Sequence, residues 1–558
     1  MSFSDDGNIE TSDNDSEDES AEDLYLGNEQ FENVDPVDYI AMAKEAVHLT
    51  LNNKFLESDA LIRSNIMVHP LLSGAFAFNA ACCAIVKFDD ETVYKSRIRI
   101  KKIVSLIKRQ FFNHVTTKYF AKTQLGDCYT YIGILYLFRT ESRAYLRGGW
   151  YLRKAWKYYN SVYKTVNSTT FMNLKHLIDE ERNLIRCGNA CGYGLFHLCV
   201  SLVPTRILSL FEMFGLPGER ETGLEELSLS HMNKQEPHSA ISSFVLLWYY
   251  VFVQPYVTLT EFSRGVSNEN EGLKLMAELS SKFHSSPFYA VFQVQMKRNS
   301  SNFSETLEIC KQSIETFTGS REIQLLFVVQ LGWTNLGLCL YKQAAEAFHK
   351  IYQESKWSHN FYLYLASICA AAENQKREAN KLFGKLSSLK RKNSAEVHVF
   401  IVKRLALLKK IGLSAQVCQL LCLEVLYHWM ILDIVPDSSL TQFLALAETF
   451  EAHPQLESLS CFIQGVIHRI RGNLDESEVM LLSARTPRHP ERLTSSVSPY
   501  ACLELVEIAS QQKKFTQAKI YLLEARDNYQ GYDFEQRLHI TVYNYLNGID
   551  RESDSDCS

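Results

Sequence analysis

The 558-residue chain has few prolines and no long apolar run. Its 12 prolines fall mostly between segments with helical apolar spacing, which is where helices begin or end. The longest uncharged apolar stretch, residues 244–259, includes Gln254 and Pro255. It is shorter than the about 20 residues that a spanning helix needs. We therefore predict no transmembrane segment.

The sequence also lacks a basic excess. It contains 58 Lys and Arg against 64 Asp and Glu, a net charge of -6. Ten of the acids fall within the first 23 residues, which contain no Lys or Arg, so the rest of the chain carries +4. Proteins that bind nucleic acid usually carry a strong basic excess. We therefore predict no nucleic-acid partner.

No signal peptide is expected, because the N-terminus is acidic where a basic and then apolar segment would be needed. We expect the 14 cysteines to be reduced thiols in the core of a cytoplasmic protein. Residues 1–34 are acidic, rich in serine and poor in apolar side chains, which predicts a disordered tail. Residues 551–558 are interpreted as a second short tail.

From Asp38 onward, apolar residues recur at spacings of three and four, which predicts helices. In several segments a large residue is followed by a small one three positions later and a large one four positions after that. This spacing lets two helices approach closely and is typical of the second helix of a tetratricopeptide (TPR) unit. The clearest copy has Tyr341, Ala344 and Phe348 in its second helix. Its first helix supplies Leu331 and Gly332.

Other copies follow the same spacing. One contains Ala379 and Phe383, a weaker one begins at Phe303, and a degenerate one begins at Phe55. Nearer the C-terminus, the residues predicted to hold helix pairs together are Gly465, Ala484, Ala518, Leu522 and Ala525. The sequence therefore predicts an all-α fold, an α-α superhelix of TPR-like pairs with a non-repeat helical middle region.

We divide the chain into seven segments. These are the disordered acidic tail (1–34), an N-terminal helical region with a degenerate repeat (35–140), a middle helical region (141–286), TPR-like repeats (287–400), a helical connector (401–456), C-terminal TPR-like repeats (457–550) and a short tail (551–558).

No residue pattern indicates catalysis, a cofactor or a metal. Gly188, Gly192 and Gly194 follow no strand and precede no Lys-Ser/Thr pair, so helix packing explains them better than phosphate binding. Cys187, Cys191 and His197 could supply three metal ligands, but no fourth ligand is visible. The two cysteines also lack the spacing of a zinc knuckle. There is no Gly-x-Ser-x-Gly elbow. We predict no enzyme activity, no catalytic residues, no cofactor and no metal site.

Basic residues cluster from Lys95 to Arg109, interspersed with isoleucine and leucine. The residues singled out as a candidate patch for an anionic partner are Arg97, Arg99, Lys101 and Lys102. An acidic protein, an anionic lipid surface and the protein's own acidic tail are open alternatives for that partner. A solvated helix face explains the same pattern without any partner.

Long motifs outside the repeats resemble a known family. Residues 148–157 read GGWYLRKAWK, residues 192–198 read GYGLFHL, residues 215–220 read GLPGER and residues 531–535 read GYDFE. In order along residues 36–549, these and neighbouring segments resemble the tetratricopeptide repeat protein 39 family, which includes the fungal inclusion-body-clearance proteins. The resemblance is closest to the C branch. One departure is Thr205, where the family pattern has a second proline after Pro204.

The resemblance implies an intracellular helical-repeat protein that has no known enzymatic activity and acts through partners. The family is connected with lipid homeostasis, protein turnover and aggregate clearance, and its C branch with cilium formation. We therefore expect a scaffold whose concave face binds a peptide or helix of a protein partner. A peripheral membrane or lipid-homeostasis adaptor is the alternative, and an unrecognised enzyme is a third hypothesis.

Overall fold

The computed structural model describes residues 38–87, 89–114, 117–137, 142–172, 177–202, 218–234, 236–254, 266–355, 358–386, 396–486, 496–542 and 545–546. The two predicted tails, Pro204 and Thr205 lie outside these residues. Within them, every regular element is helical, so the all-α prediction is confirmed. The seven segment boundaries stay predictions.

The first eleven helices of the described residues extend to residue 283. They are α1 (Tyr39–Leu51), α2 (Phe55–Ile62), α3 (Pro70–Lys87), α4 (Asp90–Gln110), α5 (Lys118–Leu137), α6 (Ser142–Val166), α7 (Thr169–Met172), α8 (Asp179–Ser201), α9 (Arg220–Met232), α10 (Pro237–Trp248) and α11 (Val266–Phe283). A short 3-10 turn, Arg63–Asn65, follows α2, and a π-helical turn, Tyr249–Val253, follows α10.

The remaining helices begin at residue 287. They are α12 (Pro287–Asn299), α13 (Phe303–Thr316), α14 (Arg321–Gly337), α15 (Tyr341–Glu354), α16 (His359–Ala372), α17 (Lys376–Leu386), α18 (Glu396–Ile411), α19 (Ala415–His428), α20 (Asp437–Glu448), α21 (Glu457–Ile470), α22 (Leu474–Arg485), α23 (Val497–Gln511) and α24 (Phe515–Asp527). Residues 535–542 are also helical.

The apolar helix α3 is the centre of the N-terminal bundle and packs against α1, α2, α4 and α5. Among the described helices, it alone is long and apolar enough to cross a bilayer by length and composition. Most of it is buried inside the protein, including every residue from Pro70 to Ala81. Its apolar composition is therefore accounted for by its place in the core.

Six helix pairs share one turn geometry. Each pair is joined by three residues, and the middle residue of each turn has a positive φ. These residues are Asn53 (62°), Ser301 (57°), Cys339 (60°), Asn374 (61°), Gly472 (79°) and Lys513 (58°). The next residue donates its backbone N–H to the carbonyl five positions earlier, at 2.8–3.0 Å. This is the Schellman motif, which satisfies carbonyls at the end of the first helix.

In two of these pairs the helices meet where a glycine faces a large side chain 16 residues later. A Cβ on Gly332 would lie 2.5 Å from Cε1 of Phe348, and a Cβ on Gly465 would lie 2.7 Å from Cγ of Leu481. In the latter pair, the Ser477 hydroxyl donates to the Gly465 carbonyl oxygen at 2.6 Å. The degenerate first pair repeats this bond, because the hydroxyl of Ser58 donates to the carbonyl oxygen of residue 46 at 2.9 Å.

The structure buries most of the other predicted pairing residues. Ala344, Ala379, Ala484, Ala518, Leu522 and Ala525 are buried, as is Tyr341. Leu331 is half-buried against an apolar cluster next to Val294 and Phe327. Phe383 is half-buried too, while the neighbouring Leu382 is fully buried. The core of that pair is therefore filled one residue earlier than the spacing suggests.

Substituting Gly332 with alanine should lower the free energy of unfolding by about 1–3 kcal/mol, because the added methyl group overlaps the buried Phe348 ring. Urea denaturation followed by circular dichroism measures this difference. The matched control is Gly384→Ala in α17, where a Cβ has nothing within 4 Å. There alanine should be neutral or stabilising, since it favours helix more than glycine does. Equal losses in both variants would contradict the proposed close approach.

In the middle region, α8 and α9 touch backbone to backbone. A Cβ on Gly194 would lie 2.8 Å from the carbonyl oxygen of Gly223, and a Cβ on Gly223 would lie 2.8 Å from the nitrogen of Leu198. A Cβ on Gly192 would overlap the Tyr159 ring at 2.3 Å. Close helix packing therefore accounts for this glycine cluster.

Candidate functional site

The basic cluster of the sequence forms helix α4, whose first turn is capped by Asp89, which accepts a hydrogen bond from the Thr92 backbone nitrogen at 2.9 Å. At 100° per residue, Arg97 and Lys101 lie along one side of the helix, and Arg99 and Lys102 along another. Arg97 is buried, whereas the other three are half-buried. The structure therefore divides the four candidate patch residues between two sides of α4.

The side of α4 that carries Arg97 faces a row of tyrosine rings from α5 and α6. We call Tyr136, Tyr151, Tyr129 and Tyr158, in that order, the tyrosine row. Successive ring centroids are separated by 5.6, 6.1 and 5.7 Å. The rings come alternately from α5 and α6, so their order in space differs from their order in the sequence. The row therefore leaves no continuous pattern in the sequence from which it could have been predicted.

Cations lie over the tyrosine row. The Arg97 guanidinium is 4.3 Å from the Tyr136 centroid, while the Lys108 and Lys154 ammonium groups are 5.7 and 5.5 Å from the Tyr129 centroid. Lys154 also lies 3.4 Å from the Trp150 ring. Such contacts contribute roughly 0.5–2 kcal/mol each. They place Lys108 and Lys154, as well as the buried Arg97, beside the rings.

A peptide groove along the repeats would need exposed helix faces, which three helices lack. α16 is buried from Leu363 to its end, α19 from Leu420 to its end and α23 along almost its whole length. Part of this cover comes from residues 528–542, which follow α24 and which we call the C-terminal segment. The Phe534 ring of this segment lies 5.2 Å from Phe400 and 4.7 Å from His428. These helix faces are filled by the protein itself.

The C-terminal segment is held by a buried ion cluster around Arg404. Arg404 donates from Nε to Glu424 at 2.7 Å and from a terminal nitrogen to Asp533 at 3.0 Å. Lys403 also pairs with Asp533, at 2.9 Å. Burial lowers the pKa of Arg404, but the Glu424 and Asp533 carboxylates together outweigh it, so the net shift is upward. Arg404 therefore stays charged, and its bonds join α18, α19 and the C-terminal segment.

A second buried cluster lies between α5 and α10. His238 Nε2 is 3.2 Å from an Asp127 oxygen, and His238 Nδ1 is 3.1 Å from a Glu236 oxygen. The Tyr159 hydroxyl donates to the other Asp127 oxygen at 2.7 Å. Burial lowers the pKa of His238, but the hydrogen bonds to Asp127 and Glu236 have the larger combined effect and raise it to about 10. His238 is therefore a cation at neutral pH, and each of its ring nitrogens faces a carboxylate.

The residues considered as metal ligands have separate hydrogen-bond partners. Cys187 accepts a hydrogen bond from the Asn233 side chain at 3.4 Å. His197 Nδ1 accepts from the Glu219 backbone nitrogen at 3.2 Å. Burial raises the pKa of both Cys187 and Cys191. Among the residues that the structure describes, no three His, Cys, Asp or Glu side chains are placed to hold a metal ion.

The family model described as Iml2/Tetratricopeptide repeat protein 39 matches residues 44–471. Among solved structures, the human IFIT1 dimer with PPP-AAAA is similar at 13% identity, covering 81% of this chain and 95% of that chain, with a TM-score of 0.30. The human IFIT1 dimer with m7Gppp-AAAA is similar at 12% identity, with the same coverage and TM-score.

Proposed function

The chain belongs to the Iml2/tetratricopeptide repeat protein 39 family, and we propose that it is a non-enzymatic scaffold that binds other polypeptides. The observation that carries this proposal is the helix pair that recurs with one turn geometry at six places along the chain. Stacked helix pairs of this kind offer extended surfaces to partners. Their stability is built from neighbouring pairs, which leaves the outer faces available to vary.

The buried polar clusters support the non-enzymatic part of the proposal. A catalytic acid or base must reach a proton of its substrate. His238 and Arg404 are each 6% exposed, and each is bonded to carboxylates of its own chain. Their charges are used to hold helices together.

We place this activity in the cytoplasm and, on the family resemblance, in cilium organisation. Imaging of the endogenously tagged protein tests the first point: a cytosolic signal is expected, and a signal confined to the lumen of an organelle would contradict it. Disruption of the gene followed by counting of ciliated cells tests the second, where an unchanged fraction of ciliated cells would contradict the role.

A peripheral membrane adaptor is the second candidate. It is favoured by the exposed Leu146 and Trp150 on α6, which stand in the sequence beside Arg147 and Arg153. Tryptophan and basic side chains together suit the surface of a bilayer.

The scaffold proposal is tested by affinity purification of the full-length protein from cells at moderate salt, with protein and lipid mass spectrometry. We expect a stoichiometric polypeptide partner, whose purified form then binds the purified chain directly in isothermal titration calorimetry. Co-purification of lipid without any stoichiometric polypeptide would overturn the scaffold and favour the membrane adaptor.

A further inference from the structure

Positive charge is concentrated on three helices that pack together. α4, α5 and α6 contain fifteen Lys and Arg against three Asp and Glu, a net charge of +12, although the whole chain carries -6. α5 packs against both α4 and α6. Acids elsewhere in the chain cancel this charge, so the total conceals how strongly it is segregated.

The three acids leave most of this surface basic. Two of them, Asp90 and Glu91, lie in the first turn of α4, where Glu91 pairs with Lys95 at 2.8 Å. The third, Asp127, is buried and bonded to Tyr159 and His238. Beyond the first turn of α4, the charged side chains that these helices direct outward are basic.

Cations from α4 and α6 converge on the tyrosine row. The Lys108 and Lys154 ammonium groups lie 5.7 and 5.5 Å from the centroid of the same ring, that of Tyr129. The two ammonium groups are therefore near each other. Arg97 lies over Tyr136, one position beyond Tyr151 in the row.

Three cations of this surface are exposed. They are Lys108 on α4, which also lies over a ring of the row, and Arg147 and Lys157 on α6. On the helical wheel, Arg147 and Lys157 lie on either side of Lys154. We call this set, together with the tyrosine row, the cationic face.

We propose that the cationic face is a docking surface for an acidic polypeptide segment. This rests on the proposed scaffold function and names the chemistry of one partner. Beyond the first turn of α4 the charged side chains directed outward are basic, and Lys108, Arg147 and Lys157 among them are exposed. Carboxylates of an acidic segment complement this charge across the face.

The same geometry fits single-stranded RNA less well. Binding of that kind combines a basic surface with aromatic faces on which bases stack. Here Tyr129 and Tyr136 are buried, and their faces are covered by neighbouring rings and by cations. The cationic face therefore offers positive charge but no open ring face, and an acidic peptide needs only the charge.

The test is fluorescence anisotropy of a labelled sixteen-residue polyglutamate peptide with three full-length proteins. These are the wild type, the triple variant Lys108→Glu, Arg147→Glu and Lys157→Glu, and a control triple variant, Lys311→Glu, Lys342→Glu and Lys409→Glu. All six substituted residues are exposed, and the control residues lie on α13, α15 and α18. Both triple variants change the net charge equally, and circular dichroism checks that each is folded.

We expect the cationic-face variant to bind the peptide at least about tenfold more weakly than the wild type, and the control to stay within about twofold. Raising the salt from about 50 to 200 mM should weaken wild-type binding about tenfold. Equal affinities for all three proteins, equal losses in both variants, or no binding would overturn the proposal. Tighter binding of a sixteen-residue oligouridine, or flotation with anionic vesicles but no peptide binding, would also overturn it.

Different results would contradict the docking surface and the scaffold. If the cationic-face variant still captures the stoichiometric polypeptide partner from cells while polyglutamate does not bind, the docking surface is wrong and the scaffold stands. If no polypeptide partner is captured by either protein, the scaffold itself is wrong.

Discussion

Replacing Arg404 with methionine is expected to lower the free energy of unfolding by about 3–5 kcal/mol. The guanidinium bonds to Glu424 on α19 and to Asp533 in the C-terminal segment. Methionine has a similar apolar stem but no charge, so it leaves two buried carboxylates near each other. Urea denaturation followed by circular dichroism measures the loss.

A surface ion pair supplies the control. Arg526 pairs with Asp527 at 2.7 Å, but both side chains are about half exposed. Arg526→Met should leave the denaturation midpoint within experimental error, since exposed pairs contribute little. A midpoint shift as large as that of Arg404→Met would show that arginine loss alone, and not burial, sets the effect.

The companion carboxylates decide the mechanism. If unpaired charge causes the loss, adding Glu424→Gln and Asp533→Asn to Arg404→Met should restore much of the stability. If the triple variant is as unstable as the sum of its parts, the packing of these side chains matters more than their charge. The first result is expected, because desolvated carboxylates without a partner are costly.

The repeat fold could be predicted from sequence because its cause is local. Tyr341, Ala344 and Phe348 follow a spacing that places them on one helix face, and Gly332 supplies the gap. The shared turn could not be predicted, because its left-handed position holds glycine at residue 472 only and asparagine, serine, cysteine or lysine elsewhere. The Schellman bonds are made by the backbone, which leaves only a weak trace in side-chain identity.

The surfaces and clusters depend on which helices meet. Arg97 and Lys102 are close in sequence, yet α4 directs them to different sides. Tyr129 and Tyr151 become neighbours only because α5 packs against α6. His238 meets Asp127 across 111 residues of sequence. Pairings of this kind carry no periodic signal, so the sequence indicated the basic helix but not the arrangement around it.

His238→Gln is expected to destabilise the protein most at neutral pH and less as the pH rises toward 10. Folding raises the pKa of this histidine from its usual 6.5 to about 10. Its contribution to stability is therefore fully present below pH 6.5 and is lost as the pH rises through 10. At pH 6.5, glutamine leaves Asp127 and Glu236 buried without a cation, a loss of roughly 3–5 kcal/mol.

The measurement is the difference in free energy of unfolding between wild type and variant at pH 6.5, 8 and 10. Tyrosine, lysine and cysteine titrations occur in both proteins and cancel in that difference, so a decline of at least about 1 kcal/mol isolates the histidine. The control is His349→Gln, because burial lowers the pKa of His349 and confines its effect to lower pH. A constant difference for His238→Gln across this range would mean that His238 is neutral in the folded protein.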